Sequence, residues 1–339
     1  MDNLTFLTGS TGLLGGHMLI QLYKKGKRLR CLIRSTSSFE QLQTICDFYE
    51  QSFEELKNNV DWVVGDTLDY CSLCEMMKHV DEVYHCAALV SFNSKDNASI
   101  LRTNIQGTAN MVDAALSNNI KRFCFVSSIA ALGKTYDHSP IQEETPRKNE
   151  GRSSNYSESK FKSELEIWRG MAEGLNAVIV NPGIILGPGL IDKGSMLIVK
   201  TGRKGLPFYT KATTGYVDVR DVCRSSIELM ERSFYGKRYI LVSENAHSGT
   251  VLGLVAKEYG KKPPRYVAGP LLLSFGVFAS TIWGFLTGTT PQLTKSTIRS
   301  VQNPDRFSNE RLKTTLNYAF IPLDQTIKDI CNHLKKQGF

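Results

Sequence analysis

Three observations predict an α/β protein built on a doubly wound parallel sheet, with a smaller C-terminal companion unit. Short apolar runs alternate with longer segments of helical spacing through the first two thirds of the 339 residues, the pattern of strands joined by crossover helices. The first of those runs leads directly into a glycine turn and a helix, in LTFLTGSTGLLGG over residues 4–16. The runs also end on small or polar residues, at the strand ends where open α/β sheets bind their ligands.

Leu4, Phe6 and Leu7 form the apolar run of a central parallel strand, buried on both faces. Gly9, Gly12 and Gly15 follow at a G-x-x-G-x-x-G spacing. Glycine suits such a turn because the backbone must bend sharply and approach a phosphate with no Cβ in the way. The helix it opens, predicted over 13–23, offers free N–H groups to that anion, so Thr11, Leu13 and Leu14 join the glycines as candidate binding residues. A strand over 29–33 completes a β-α-β unit and ends at Arg34-Ser35. An acidic residue about 20 positions after the glycines would favour NAD, whereas an arginine accommodates the 2′-phosphate of NADP; Arg34 therefore points to NADP.

Residues 36–59 read as one helical crossover. A strand over 60–64 runs into Gly65-Asp66 and another over 82–86 into Ala87-Ala88. A helix over 104–116 precedes a strand over 122–126 and Ser127-Ser128, and Tyr156-Ser-Glu-Ser-Lys160 opens the next helix. A strand over 177–180 meets Asn181-Pro182-Gly183, and ILGPG over 185–189 marks departure from the parallel sheet. Residues 215–231 read as a short strand returning to the sheet followed by a helix. These readings assign 1–183 with about 214–243 to a dinucleotide-binding unit, and about 184–213 with 244–339 to the companion.

The charge balance, 41 basic against 33 acidic residues, gives +8. No block of five or six like charges occurs, so a solvated surface is favoured over nucleic-acid binding. Eight irregularly placed cysteines, several within apolar runs (Cys31, Cys86, Cys124), fit reduced thiols in a cytoplasmic protein. Cys71 and Cys74 form a C-x-x-C without the second ligand pair a zinc site needs, and no metal site is expected. The first strand begins by residue 4 and leaves no room for a secretory leader.

Taken in order, TGSTGLLG (8–15), GDTLD (65–69), YHCAA (84–88), NIQGT (104–108), VSS (126–128), YSESK (156–160), NPGIILGPG (181–189) and YVDVRDV (216–222) resemble the extended short-chain dehydrogenase/reductase family, which includes nucleotide-sugar epimerases, dihydroflavonol reductases and 3β-hydroxysteroid dehydrogenases. The resemblance covers nearly the whole chain. It implies a Rossmann fold with a C-terminal substrate-binding domain, and a homodimer through the helices beginning near Asn104 and Tyr156. It implies that Asp66 and Leu68 hold the adenine, with Thr67 between them also at the cofactor, and that Ala87 and Ala88 pass behind the cofactor ribose. Pro182, Gly183 and Ile185 complete the cofactor site, Asn104 braces the lysine through water, and Ser128 binds the substrate oxygen.

The case for Tyr156 and Lys160 also stands on its own. Four residues apart on a helix, they share a face, and a nearby cation draws a phenol's pKa of about 10 towards working pH. The expected reaction is hydride transfer from NADPH to a carbonyl, with Ser128 and Tyr156 polarising its oxygen. Residues 266–294 carry no charge; a buried helix lining the substrate cleft is favoured over membrane contact, and either suggests a bulky apolar small molecule. The alternative is a nucleotide-sugar epimerase or dehydratase with retained NAD, for which Lys200, Arg203 and Lys204 could meet a diphosphate. A non-catalytic NADP sensor ranks third, because it would have lost Tyr156 or Lys160.

Overall fold

β1 (Leu4–Thr8) is an interior strand of the main sheet. Its side chains alternate between two cores: Phe6 packs with Met111 and Phe123 on one face, Leu7 with Met18 and Cys31 on the other. The computed structural model describes residues 3–90, 96–135, 137, 139–147, 154–210, 212–269 and 305–339. The strands beside β1 are β2 (Arg28–Ile33), β3 (Asp61–Val64), β4 (Glu82–His85), β5 (Arg122–Val126), β6 (Ala177–Pro182) and β10 (Lys237–Leu241). All seven run parallel in the order β10-β6-β5-β4-β1-β2-β3. The order reverses between β1 and β4, so the crevice of this doubly wound sheet opens at their carboxyl ends.

Helices cover both faces, as parallel strands require. α1 (Leu13–Lys24), α2 (Glu40–Phe48), α3 (Phe53–Asn59) and α9 (Val219–Glu231) supply one core. α4 (Tyr70–Met76), α6 (Gly107–Ser117) and α7 (Asn155–Ala172) supply the other. α5 (Asn97–Leu101) reaches α6 through a π-helical turn, Arg102–Gln106.

The smaller unit has its own apolar centre, where Leu186 of β7 (Ile184–Leu186) and Val199 of α8 (Met196–Arg203) meet Tyr216 of β9 (Thr213–Asp218). Val255 of α10 (Ser248–Glu258) and Ile330 of the last helix complete it. β9 pairs with β7 and with β11 (Glu244–His247), while β8 (Phe208–Tyr209) pairs with β12 (Tyr266–Val267). α11 (Glu310–Leu316) and α12 (Leu323–Lys336) close the chain.

Three local expectations are revised. The crossover over 36–59 is two helices, because Glu50 takes a left-handed φ of 51° and Ser52 caps α3 by accepting from Glu55 N at 3.2 Å. The helix expected from residue 104 starts as the π-helical turn. The strand at 213–218 joins the three-stranded sheet rather than the main one; β10 is the strand that returns. Of the uncharged stretch 266–294, residues from 270 on lie outside the described residues. Among the described residues no helix is long and apolar enough to cross a membrane, and no group of side chains could hold a metal ion.

Candidate active site

The turn after β1 is closed by backbone contacts that exclude side chains. Gly9 has φ +76°, and a Cβ there would lie 2.9 Å from Ala87 N; a Cβ on Gly15 would lie 2.0 Å from Gly9 O. Gly12 N donates to Gly9 O at 2.9 Å and forms the N-cap of α1, with no side-chain cap. The first-turn N–H groups of a twelve-residue helix are therefore left without a side-chain partner at the crevice between β1 and β4, as an anion site requires. Ala87 sits directly behind them, its N–H donating to Thr8 Oγ1 at 3.1 Å. This cradle fits the pyrophosphate of a dinucleotide.

Two further strand ends flank it. Arg34, at the end of β2, is exposed, and its guanidinium has no ion pair among the described residues. Asp66, after β3, is exposed and accepts from Leu68 N at 2.9 Å, a local turn that shapes residues 66–68. Thr67 is buried, with its carbonyl accepting from Asn110 Nδ2 at 2.9 Å. Beyond β6, Gly183 approaches β9 closely enough that a Cβ would lie 2.4 Å from Gly215 O. Ile185 lies in β7, paired with Val217.

The catalytic candidates meet where β5 faces the start of α7. Ser154 caps α7, accepting from Ser157 N at 3.2 Å, and so fixes the turn that carries Tyr156. The two serines after β5 separate in role. Ser127 is buried and donates to Glu164 Oε1 at 2.5 Å, whereas Ser128 accepts from Ala130 N at 3.1 Å and faces the Tyr156 phenol. Burial raises the Tyr156 pKa above its usual 10, and the Ser128 hydroxyl draws it back. Lys160 follows one turn later and is 3% exposed. Its Nζ donates to Val126 O at 2.8 Å and stands 5.0 Å from the centre of the Phe125 ring. Burial lowers its pKa to about 8, opposed by Cys86 and Glu164.

Asn104, in the π-helical turn, accepts from Leu89 N at 2.7 Å and donates to Leu89 O and to Ser159 Oγ at 3.0 and 2.9 Å. It thus bridges the segment after β4 to the residue beside Lys160.

Sequence reasoning named no role for four buried or half-buried side chains around this set. Glu164 lies one further turn along the Tyr156/Lys160 face and also accepts from Asn181 Nδ2 at 2.6 Å and Arg238 at 2.9 Å. Its i+4 spacing from Lys160 was the available signal. His85, in the YHCAA segment, is clamped between Thr8 Oγ1 at 2.8 Å and Thr108 Oγ1 at 3.2 Å; burial, then the Lys160 charge, lowers its pKa to about 3. Arg147 donates to the carbonyls of Ala130, Ala131 and Ser157 and pairs with Glu158 at 3.0 Å. It ties the Ser128 turn to the first turn of α7, and no local pattern announces it. Arg238 of β10 reaches Glu164 only through the fold.

A doubly wound sheet with an anion cradle at its switch point is the layout of a nicotinamide-dependent enzyme of the extended short-chain dehydrogenase/reductase type. The chain belongs to the NAD-dependent epimerase/dehydratase family, whose model matches residues 5–240. It is 31% identical over 269 residues to the putative dihydroflavonol 4-reductase of Synechocystis sp., an overlap of 76% of this chain and 74% of that protein. Cinnamoyl-CoA reductase 1 of Petunia hybrida is 25% identical over 342 residues, 98% of this chain and 92% of the relative. The crystal structure of gox2253 superposes with a TM-score of 0.80 at 28% identity, covering 100% and 99% of the two chains. The chain is therefore an oxidoreductase of this family, and the family binds a nicotinamide dinucleotide.

Proposed function

We propose that this enzyme is an NADPH-dependent reductase of a carbonyl on a bulky, largely apolar small molecule. The observation that carries the reading is the convergence of Ser128, Tyr156 and Lys160 at the end of β5. Bound in the cradle of Gly9, Thr11, Gly12, Leu13, Leu14 and Gly15, the dinucleotide would supply hydride. Asp66, Thr67 and Leu68 would border the adenine, Ala87 and Ala88 the ribose, and Pro182, Gly183 and Ile185 the far end of the cofactor. Ser128 Oγ and the Tyr156 phenol hold the substrate oxygen, Tyr156 gives it a proton, and Lys160 orients the ribose; in contrast to the sequence expectation, the Ser128 hydroxyl rather than the Lys160 ammonium is the group that opposes the burial of the phenol. Asn104 braces the helix beside Lys160.

Arg34 supports the choice of NADPH: it is exposed at the strand end that receives the adenosine ribose, with no acidic residue until Glu40. The relatives named for dihydroflavonol and cinnamoyl-CoA reduction support a bulky substrate. The test is nicotinamide fluorescence on purified protein titrated with NADPH and with NADH, after assaying the denatured supernatant for carried-over cofactor. An empty starting site, with NADPH bound about tenfold or more tightly than NADH and the difference lost in Arg34→Ala, is expected for the loss of a charge-assisted contact. Such a result justifies a screen of aromatic carbonyls. Retained NAD without NADPH preference would instead favour the epimerase/dehydratase reading.

A further inference from the structure

We infer that the face formed by β8, β12 and the turns leading into them docks on an anionic lipid bilayer. Phe208 of β8 and Tyr266 of β12 lie opposite each other in register, ring centres 6.0 Å apart, and are 45% and 61% exposed. Leu206 and Val267 beside them are exposed as well. The arrangement is built rather than incidental. Arg265 N and Tyr266 N both donate to Pro207 O at 2.9 Å, Ala268 N donates to Tyr209 O at 2.7 Å, and Tyr209 turns inward against His247 and Gly249. Period-2 alternation then presents Phe208 to solvent.

Cations surround this patch. Lys204, Lys261, Lys262 and Arg265 are exposed, and a Cβ on Gly205 would touch Lys261. None of these four has an acidic partner among the described residues; Lys200 nearby pairs with Asp192. The segments 193–217 and 259–304 hold ten basic residues and no acidic one, against a total for the chain of +8. The remainder of the chain is therefore slightly acidic, and four of these ten, Lys204, Lys261, Lys262 and Arg265, are the exposed cations of the described face. Exposed aromatic and aliphatic side chains ringed by lysine and arginine match a bilayer interface, where the rings enter the headgroup region and the cations meet anionic lipid. A nucleic acid would use the charges and leave Leu206, Phe208 and Val267 in water.

The test is co-sedimentation of the full chain with phosphatidylcholine vesicles, with and without one quarter phosphatidylserine. Two variants accompany it, Lys261→Glu/Lys262→Glu and Phe208→Ser/Tyr266→Ser, each checked by thermal melting and NADPH titration. The expected result is binding at least tenfold stronger to the phosphatidylserine vesicles, weakened by salt and by roughly tenfold or more in each variant, with melting temperature and NADPH affinity unchanged. Three results would overturn the inference. One is no sedimentation with either vesicle. Another is loss of binding in the charge variant alone together with equal binding of duplex DNA, which reassigns the patch to a polyanion. The third is a large fall in melting temperature for Phe208→Ser/Tyr266→Ser, which shows the patch packed within the chain. Because neither variant touches the cofactor site, a failed reductase assignment leaves this result standing, and the converse holds too.

Discussion

At the scale of single residues, the buried ammonium of Lys160 is the costly group. Unfolded it titrates near 10.5 and folded near 8. Between those values the folded chain holds fewer protons than the unfolded one, so this group's contribution to stability improves as pH rises from 8 to 10.5 and is at its worst below 8. The depression corresponds to roughly 3 kcal/mol against the charged form. Lys160→Met is accordingly expected to abolish turnover while raising the melting temperature at pH 7, and the stability gain should vanish by about pH 10.5. The same lysine is charged below about pH 8, so NADPH affinity should weaken as pH passes upward through 8 in the wild type and lose that inflection in the variant. Tyr156→Phe keeps the ring and removes the proton; steady-state kinetics should show a loss of on the order of 10²–10⁴ in kcat with NADPH binding preserved.

At the scale of elements, the site is a meeting of strand ends with helix starts, and its precision depends on what ties them. Arg147 fastens the turn carrying Ser128 to the first turn of α7 through three carbonyls. Arg147→Ala should lower kcat by about 10–100-fold with a smaller effect on KM, because it misplaces Ser128 against Tyr156 rather than removing either. Arg147→Lys, whose single ammonium cannot hold the carbonyls and Glu158 at once as the two arms of the guanidinium do, should recover only part of the loss. The β1–α1 turn, the Ser-Ser strand end and the Tyr156/Lys160 face were legible because each is local, its chemistry written within five or so consecutive residues. Arg147, Arg238 and the clamp on His85 were not, since their partners lie at least ten positions away and as many as seventy-seven for Thr8 and His85, and no periodicity encodes them. The crossover over 36–59 misled for a related reason: Phe48 and Phe53 continue a helical spacing across a break fixed by Glu50 and Ser52.

At the scale of the whole molecule, the smaller unit is tied by charge to α9, which packs on the main sheet. Asp218, at the end of β9, accepts from Thr326 Oγ1 at 2.9 Å and from Arg220 at 2.7 Å, and Arg220 reaches Asp329 of α12 at 2.7 Å. Asp218 is buried, so Arg220→Ala strands its carboxylate; urea unfolding should show a loss of about 3 kcal/mol, near the lower end for breaking such a pair. The resemblance of the motifs specified the doubly wound sheet, yet not that β9 would leave it for a sheet of its own, because a short strand such as TTGYVD reads the same in either place.

The interior position of β1 also bears on how the chain emerges during synthesis. Its two neighbours are β2, about twenty residues on, and β4, which pairs with it across 77 positions, and the edge beyond β6 waits for residues 237–241. An all-parallel sheet has no hairpin to nucleate it, so every pairing closes a long loop. Until residues 122–126 have been made, β5 is missing and β4 holds an open edge, and the glycine cradle is not completed before Ala87 arrives. The stretch of synthesis between β4 and β5 is thus the interval in which the half-built sheet exposes that edge.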